Sequence, residues 1–560
     1  MPVEKFSEAI FWAEQVAKKA IERAKEEGIE VITCRSGQTP SGAKHIGNFN
    51  DNVRSYFVAK LIQQMGYKAR HVQTHDDMDP LRKIPVRMPD LDGRWHELSK
   101  EEIKRLSKFV GFPLCRVPDP FGCCKSWAEH FEKVWEEGCK IAGIKMTEYY
   151  RNEDLYREGK FNPYIELVFE RIEKAREIIL EHQRTKTKEY VPFWVICENC
   201  GRITGKVVSF DLESKTVEYV CTNRSLAGKY NTGCCGYKGC VSWENGTGKL
   251  DWQFEWPAQM HMFNTIVEPF GKDHYEGSWP ICQKVITSIY DGKPPIAFVY
   301  EMFLINGKKM SARHGNVFTV QDMVRIMEPE IFLYFYTKRP LKQREINLKN
   351  LALIFEFEKA ERIYFGVEKA KNEKEERNVR IAYKLAWADR PIPKKIPVRI
   401  PYFHAAIIAQ VVKDVEKEQE VVFKLLRKTG HIKGELNEEE KKSVIERIKR
   451  ARNWVLSYGP ENLRFKPLER LSEGILSKID EKMKKCIADV KNALMRNVSK
   501  EELETLLFDL PRKYEVPVKK FFQTFYEILL GKKEGPRLAL LLISLRDFAI
   551  KRLEEIEKLL

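Results

Sequence analysis

Apolar residues recur every three or four positions over residues 4–27, at Phe6, Ala9, Ile10, Ala13, Val16, Ala17, Ala20, Ile21 and Ala24. That spacing predicts an amphipathic helix, closed by Gly28. The pattern then shortens to "IEVITC" (29–34), a β-branched run that predicts a buried strand. A turn of small residues follows, "RSGQTPSGAKHIGN" (35–48). Residues 48–65 predict a second helix ending at Gly66, and "YKARHVQTHDD" (67–77) a second strand with acids at its end. Strand, Gly-rich turn, helix and strand make a βαβ unit, so the fold class expected is α/β with a parallel, doubly wound sheet.

The pattern changes after residue 85. Prolines, cysteines and short strand-like runs dominate up to 250, interrupted by a helical stretch at about 164–185. This segment reads as an insertion. Sheet-like material resumes near 251 and runs to about 320. From about 345 charged amphipathic segments prevail, among them "NLALIFEFEKAERIYF", with a Pro-rich connector at 388–403. The expected organisation is a catalytic domain in two halves, 20–85 and 251–345, split by an insertion over 86–250 and followed by a helical domain over 346–560. No internal repeat or low-complexity tract is evident.

With 560 residues, the chain is too long for a single core. Its 43% hydrophobic and 32% charged residues are ordinary for a globular protein. The longest apolar run, "LALLLISL" (538–545), is too short for a membrane span. The start lacks a signal-peptide layout, so no membrane and a cytoplasmic setting are expected. Lys and Arg number 97 against 81 Asp and Glu, a net +16. That excess suits a polyanionic partner such as nucleic acid, and equally a solvated Lys/Glu-rich surface. Thirteen cysteines in such a chain point to metal or core roles before disulfides.

The first βα turn is where an open α/β sheet binds ligands. Gly37, Gly42 and Gly47 permit close backbone approach, the next helix offers free N–H groups to phosphate, and His45 adds a side-chain donor. "TPSGAKHIGN" resembles the "HIGH" signature of class I aminoacyl-tRNA synthetases, with Asn48 in the fourth place. Far downstream, "INGKKMSARHGN" (305–316) resembles their "KMSKS" loop. Ala312 stands where that motif has its second lysine, so Lys308, Lys309 or Arg313 must supply the charge for the leaving pyrophosphate. "EPFGKDHYEGS" (268–278) resembles a "GxDH" segment of the glutamyl and glutaminyl enzymes, in which Gly271 would admit ribose and Asp273 accept from its hydroxyls.

Taken together, residues 30–345 resemble the class I lysyl-tRNA synthetases found mostly in archaea. "SGQTPSGAKHIGN", "THDDMDPLRKIP", "LDWQFEWPAQM" and "FGKDH" carry the likeness. It implies a Rossmann-type catalytic domain, a zinc-bearing insertion and an all-helical anticodon-binding domain. His45, Asn48, Lys308, Lys309 and Arg313 would be catalytic. Thr39, Ser41, Gly42, Gly47, Gly271, Asp273, Met310 and Ser311 would hold ATP with its Mg²⁺. Gly37 and Thr39 would hold the backbone end of lysine. A buried ammonium also needs anions and aromatic faces, because an unpaired charge is costly. Asp77, Asp79, Asp273 and Glu255 are candidate anions, and His274 belongs to the same expected pocket. Trp252, Trp256, Phe298 and Tyr300 are candidate walls.

Cysteines in the insertion form two groups. Cys197-x2-Cys200 followed by Cys221 has zinc-ribbon spacing, with Cys234, Cys235 or Cys240 as fourth ligand. Cys235 is preferred because "CGYKG" supplies the small-residue turn that follows a knuckle cysteine. The other group is Asp119, Cys123, Cys124 and His130, with Cys115 to spare. Adjacent cysteines leave its spacing ambiguous, and the family resemblance implies a second zinc site there. Both sites are expected to be structural.

The expected function is ATP-dependent ligation of L-lysine to tRNA-Lys through an adenylate, by a monomer able to associate with other translation factors. Two alternatives stand beside it. One is a class I enzyme of glutamyl or glutaminyl type, disfavoured because Asp76, Asp77 and Asp79 make the end of the second strand acidic. The other is a non-catalytic tRNA-binding paralogue, favoured only by Ala312.

Overall fold

The computed structural model describes residues 10–182, 187–226, 230–310 and 317–560. The first helix, α1 (Trp12–Glu26), buries Ala13, Val16, Ala17, Ala20, Ile21 and Ala24 on one face, as their spacing predicts. Phe6 and Ala9 lie outside the described residues. β1 spans Val31–Gln38 and so runs four residues past the predicted strand. Arg35, Ser36, Gly37 and Gln38 continue the ladder with Val72, Gln73, Thr74 and His75 of β2 (Lys68–His75). Gly37 is therefore the end of a strand, and the signature turn begins only at Thr39. α2 (Phe49–Gln64) joins the two strands and is buried on nearly every side.

Three more strands complete this sheet: β3 (Thr147–Arg151), β4 (Thr265–Gly271) and β5 (Ile296–Tyr300). Their order is β5-β4-β1-β2-β3, and every pairing is parallel. The chain winds one way from β1 through β2 to β3, and the other way from β1 through β4 to β5. The crevice between β1 and β4 is thus the switch point, where open α/β sheets bind ligands. β3 falls within the stretch read as insertion. Its sequence, "TEYYR", is only half-buried, so it carries none of the apolar density that marks an inner strand. Residues 252–262, read as sheet-like, form a helix, α3 (Trp252–Met262). Its two tryptophans and Phe254 resemble strand composition, and packing on β4 and on the helix Ser278–Ser288 decides for helix.

A polar plug lies beneath the switch point. Arg35 on β1 pairs with Glu268 on β4 at 2.5 Å, both buried, and donates to Thr74 (2.6 Å) and Gln259. Trp256 donates to the same Glu268 carboxylate at 2.9 Å. A buried ion pair holds only when further hydrogen bonds satisfy it, and removing one partner costs about 3–5 kcal/mol.

The cysteine-rich segment forms a separate antiparallel sheet, in the order Lys238–Ser242, Thr216–Cys221, Gly205–Asp211, Phe193–Val195, Gly248–Leu250. The helical stretch before it is two helices, Asn162–Glu170 and Ile172–His182. Phe169 anchors them on this sheet, stacked on Phe210 and edge-on to Trp243.

Contacts divide the chain into two compact units. The first runs to Met323 and adds Pro329–Ile346 and Lys359–Ile392; the second comprises Val324–Glu328, Asn347–Glu358 and Pro393–Leu560. The helix Glu373–Ala386, from the stretch read as part of the helical domain, belongs to the first unit and packs on the helix Pro329–Tyr336. In the second unit, helices from Tyr402–Val411 to Arg546–Leu559 enclose their own apolar core. "LALLLISL" is one of them, Leu538–Ser544, buried throughout. No helix among the described residues is long and apolar enough to cross a membrane.

Candidate active site

A cleft opens at the carboxyl ends of β1 and β4. Its larger part, of about 850 Å³, is lined by Gly37, Thr39, Lys44, Asp76, Asp79, Lys249 and Trp252, among others. A smaller part, of about 270 Å³, is lined by His45, Gly47, Gly271, Asp273, Tyr300, Lys309 and Met310. Asn48, Asp51 and His274 line both parts.

The turn from 45 to 48 is held from several sides. The Ile46 N–H donates to the Phe318 carbonyl at 2.8 Å, and the Tyr336 hydroxyl donates to the Ile46 carbonyl at 2.7 Å. The Asn48 N–H donates to His45 Nδ1, and the His45 N–H to Asn48 Oδ1, both at 3.3 Å. A ring nitrogen that accepts leaves the proton on the other one, so Nε2 of His45 is the donor. Gly47 makes this geometry possible, because a Cβ there would sit 2.8 Å from the His45 ring. Burial first, then the Lys44 and Lys309 charges, pull the His45 imidazole down to about 4. The ring is therefore neutral at physiological pH and acts as a hydrogen-bond donor.

Gly271 closes β4. A Cβ on it would lie 2.6 Å from Asp273 Oδ1, so the carboxylate folds back over bare backbone. Across the cleft, the tip Asn306-Gly307, with φ of +48° and +73°, turns a hairpin between Phe303–Ile305 and Lys308–Lys309. Successive positive φ values are what a type I′ turn requires. The hairpin places Lys309 and Met310 on the cleft wall opposite His45. Lys308 is exposed and does not line the cleft. Ser311, Ala312 and Arg313 lie outside the described residues.

The other expected residues divide. Trp252 lines the cleft, stacked on Trp256 (4.8 Å) and 5.3 Å from the His274 ring. Tyr300 lines it too, and donates to Asp51 at 2.7 Å. Ser41 and Gly42 lie on the signature turn without lining the cleft. Three others are turned away. Asp77 is buried and accepts from the Glu153 N–H at 2.8 Å. Phe298 is buried against Trp12, with ring centroids 5.4 Å apart. Trp256 is committed to Glu268. Asp77 lies in the turn after β2, where its carboxylate is taken up by the Glu153 N–H, and Phe298 sits mid-strand in β5, two residues short of the carboxyl end that reaches the cleft. Glu255 is fully buried, and Lys249 takes its carboxylate at 2.7 Å.

Several cleft residues carry no mark in the sequence. Asp51 follows Asn48 by one helical turn, a spacing that could have singled it out. Burial pushes its carboxyl up to about 8, against the Tyr300 hydrogen bond and with Glu268 and Asp273 adding to the rise. Burial brings the Lys44 ammonium down to about 8, although Asp76 and Asp79 oppose it. Trp194, Arg224 and Lys249 come from the insertion, and nothing in their spacing announces them.

Both cysteine groups assemble. Cys197, Cys200, Cys221 and Cys235 bring their sulfurs within 4.8 Å of one another, and Cys234 and Cys240 are not among them. The Cys197–Cys235 and Cys200–Cys221 sulfur separations are 3.6 and 3.8 Å. Ligands at about 2.3 Å around a tetrahedral ion stand about 3.8 Å apart, so the set fits such an ion. Asp119, Cys123, Cys124 and His130 form the second group. There His130 Nε2 meets the Pro89 carbonyl at 3.0 Å, which leaves Nδ1 facing Cys123 (3.4 Å) and Asp119 (3.3 Å). A backbone carbonyl behind a histidine is the usual way to orient it as a metal ligand. Cys115 is outside this group.

Residues 10–387 match the model of the family described as tRNA synthetases class I (K). The lysine–tRNA ligase of Haloarcula marismortui is 34% identical, over 97% of this chain and 96% of its own. That of Natronomonas pharaonis is also 34% identical, over 97% of each chain. That of Pyrococcus horikoshii is 32% identical, over 97% of this chain and 99% of its own. With this match across the sheet, the insertion and the helical unit alike, the chain belongs to the class I lysyl-tRNA synthetases.

Proposed function

We propose that this chain activates L-lysine with ATP and transfers it to tRNA-Lys in the cytoplasm. The observation that carries the reading is the cleft itself: a neutral His45 and Asn48 at the β1–β4 switch point, facing Lys309 and Met310 across about 270 Å³. The lysine carboxylate attacks the α-phosphorus of ATP; a carboxylate oxygen–phosphorus bond forms as the bond to pyrophosphate breaks. His45 Nε2–H and the Asn48 amide donate to the oxygens on which charge grows, and Lys309 with the loop after it takes charge on the leaving group. Bound Mg²⁺ supplies further charge neutralisation on the phosphates. Lys44, which burial brings down to about 8, still carries its proton at neutral pH and adds a cation on the amino-acid side. A hydroxyl of the terminal tRNA ribose then attacks the adenylate carbonyl, and AMP leaves.

Gly37 and Thr39 receive the backbone end of lysine, and Trp252, His274 and Tyr300 wall its stem. Asp273 and, once a bound cation draws off its proton, Asp51 are the carboxylates available to its ammonium groups. Zinc is the ion proposed for both cysteine-bearing sites, since thiolate and imidazole at tetrahedral spacing select it. Four protein side chains fill the ligand places in each set, which suits a structural role.

ATP–pyrophosphate exchange with purified tRNA, assayed with lysine, glutamate, glutamine and arginine, tests the reading. Lysine-dependent exchange is expected. Exchange with another amino acid would keep the catalytic loops and overturn the pocket; none with any of the four would favour a binding protein.

A further inference from the structure

Lys249 is 3% exposed and sits inside the cleft wall. Its ammonium lies 2.5 Å from Asp79 Oδ1 and 2.7 Å from Glu255 Oε2. Both contacts reach beyond its own element: Asp79 follows β2, and Glu255 is on α3. The remaining acceptors of this cluster are also engaged. Tyr156 donates to Glu255 at 2.9 Å while accepting from the Leu250 N–H at 2.9 Å. Asp79 Oδ2 accepts from the Thr39 hydroxyl at 3.3 Å. One chain of contacts therefore runs Tyr156–Glu255–Lys249–Asp79–Thr39 and ends on the signature turn.

Two physical consequences follow. The cluster satisfies the conditions under which a buried cation is retained, with paired carboxylates and their other lone pairs hydrogen-bonded. It also removes Asp79 and Glu255 from the anions a substrate could use. Asp51, Asp76 and Asp273 line the cleft and make no ion pair among the described residues, and Asp76 is taken up by the Gln259 and Asn152 amides at 2.9 and 3.1 Å. The strand Gly248–Leu250, which carries Lys249, pairs with Phe193–Val195 of the insertion sheet, so this ammonium is delivered by the insertion.

We propose that Lys249 is a positioning residue for amino-acid recognition: a resident ammonium that closes the acidic end of the cleft, holds Asp79 on Thr39, and leaves the substrate's ammonium groups to Asp51 and Asp273. This rests on the proposed lysine-activating function. It makes the insertion part of the specificity apparatus, acting through Thr39 on how the substrate's backbone end is seated.

The test is steady-state exchange by K249M beside the wild type. Losing the clamp leaves Asp79 without its cation, so KM for lysine should rise about tenfold or more. KM for ATP should stay within about threefold, because His45, Gly47, Gly271 and Lys309 in the smaller part of the cleft keep their contacts. K249M strands two buried carboxylates, so K249M/E255Q, which removes one cation and one anion together, guards against loss of fold. It should show the same selective rise. An unchanged lysine KM in either folded variant overturns the proposal, as does an equal rise in both KM values. Failure of the wild type to exchange with lysine would instead sink the functional reading.

Discussion

The two walls of the cleft are built differently. One wall is short-range: His45, Gly47, Asn48 and Asp51 lie within a single turn and the helix it starts, and Gly271, Asp273 and His274 within another. The other wall, in the larger part of the cleft, is assembled at long range, from Asp79 after β2, Trp194, Arg224 and Lys249 of the insertion, and Trp252 at the start of α3. Chemistry that needs atoms fixed to a few tenths of an ångström is placed where the backbone fixes them. Under the proposed function, insertion side chains such as Lys249 join Asp51, Asp273 and Trp252 in recognising the amino acid. The first wall should govern the rate of the chemical step, and the second the affinity for the amino acid.

The sharpest way to break that division is His45→Ala. It removes the Nε2–H donor while leaving the turn's backbone bonds to Phe318 and Tyr336 in place. Exchange should fall by about 10²–10³-fold at saturating lysine, with the thermal transition little changed. Near-normal turnover in a folded variant would remove His45 from the chemistry.

Cys197→Ser tests the other wall. Cys197 lies two residues beyond the strand that pairs with the Lys249 strand. Loss of one of four thiolates should lower bound metal by one ion per chain and open the insertion sheet to limited proteolysis. KM for lysine should rise about tenfold before kcat changes, if the division holds. A collapse of kcat at unchanged KM would show that the walls are not separable.

The smallest effect concerns Asp51, which belongs to both parts of the cleft. Its folded carboxyl is raised to about 8, whereas the unfolded chain ionises near 3.8. Its contribution to stability is thus complete below that lower value and is lost as pH rises through about 8. Asp51→Asn should gain stability relative to the wild type between pH 4 and 9, read as the difference in Tm. A pH-independent difference would show that Asp51 is ionised in the folded protein throughout.

The same contrast explains what could be read in advance. The helix α1, the βα turn and the Cys197-x2-Cys200 knuckle are local, and their residue types follow from backbone geometry. β3 was hidden because its half-buried "TEYYR" lacks an apolar pattern. The extension of β1 through Gln38 was hidden because Arg35 and its neighbours are polar, yet they are buried among Glu268, Thr74 and Gln259. Asp77 and Phe298 were reasonable pocket residues by composition; the Glu153 N–H takes the first and packing on Trp12 the second.

The sequence by itself determined the family, the parallel sheet and the residues of the signature turns, because each depends on short spacings and on φ, ψ demands that few residue types meet. Only the tertiary structure decided which acids face the cleft, which are already paired, and that a lysine 170 positions from Asp79 holds it in place. Burial and pairing are properties of what surrounds a side chain in space, and no local spacing encodes them.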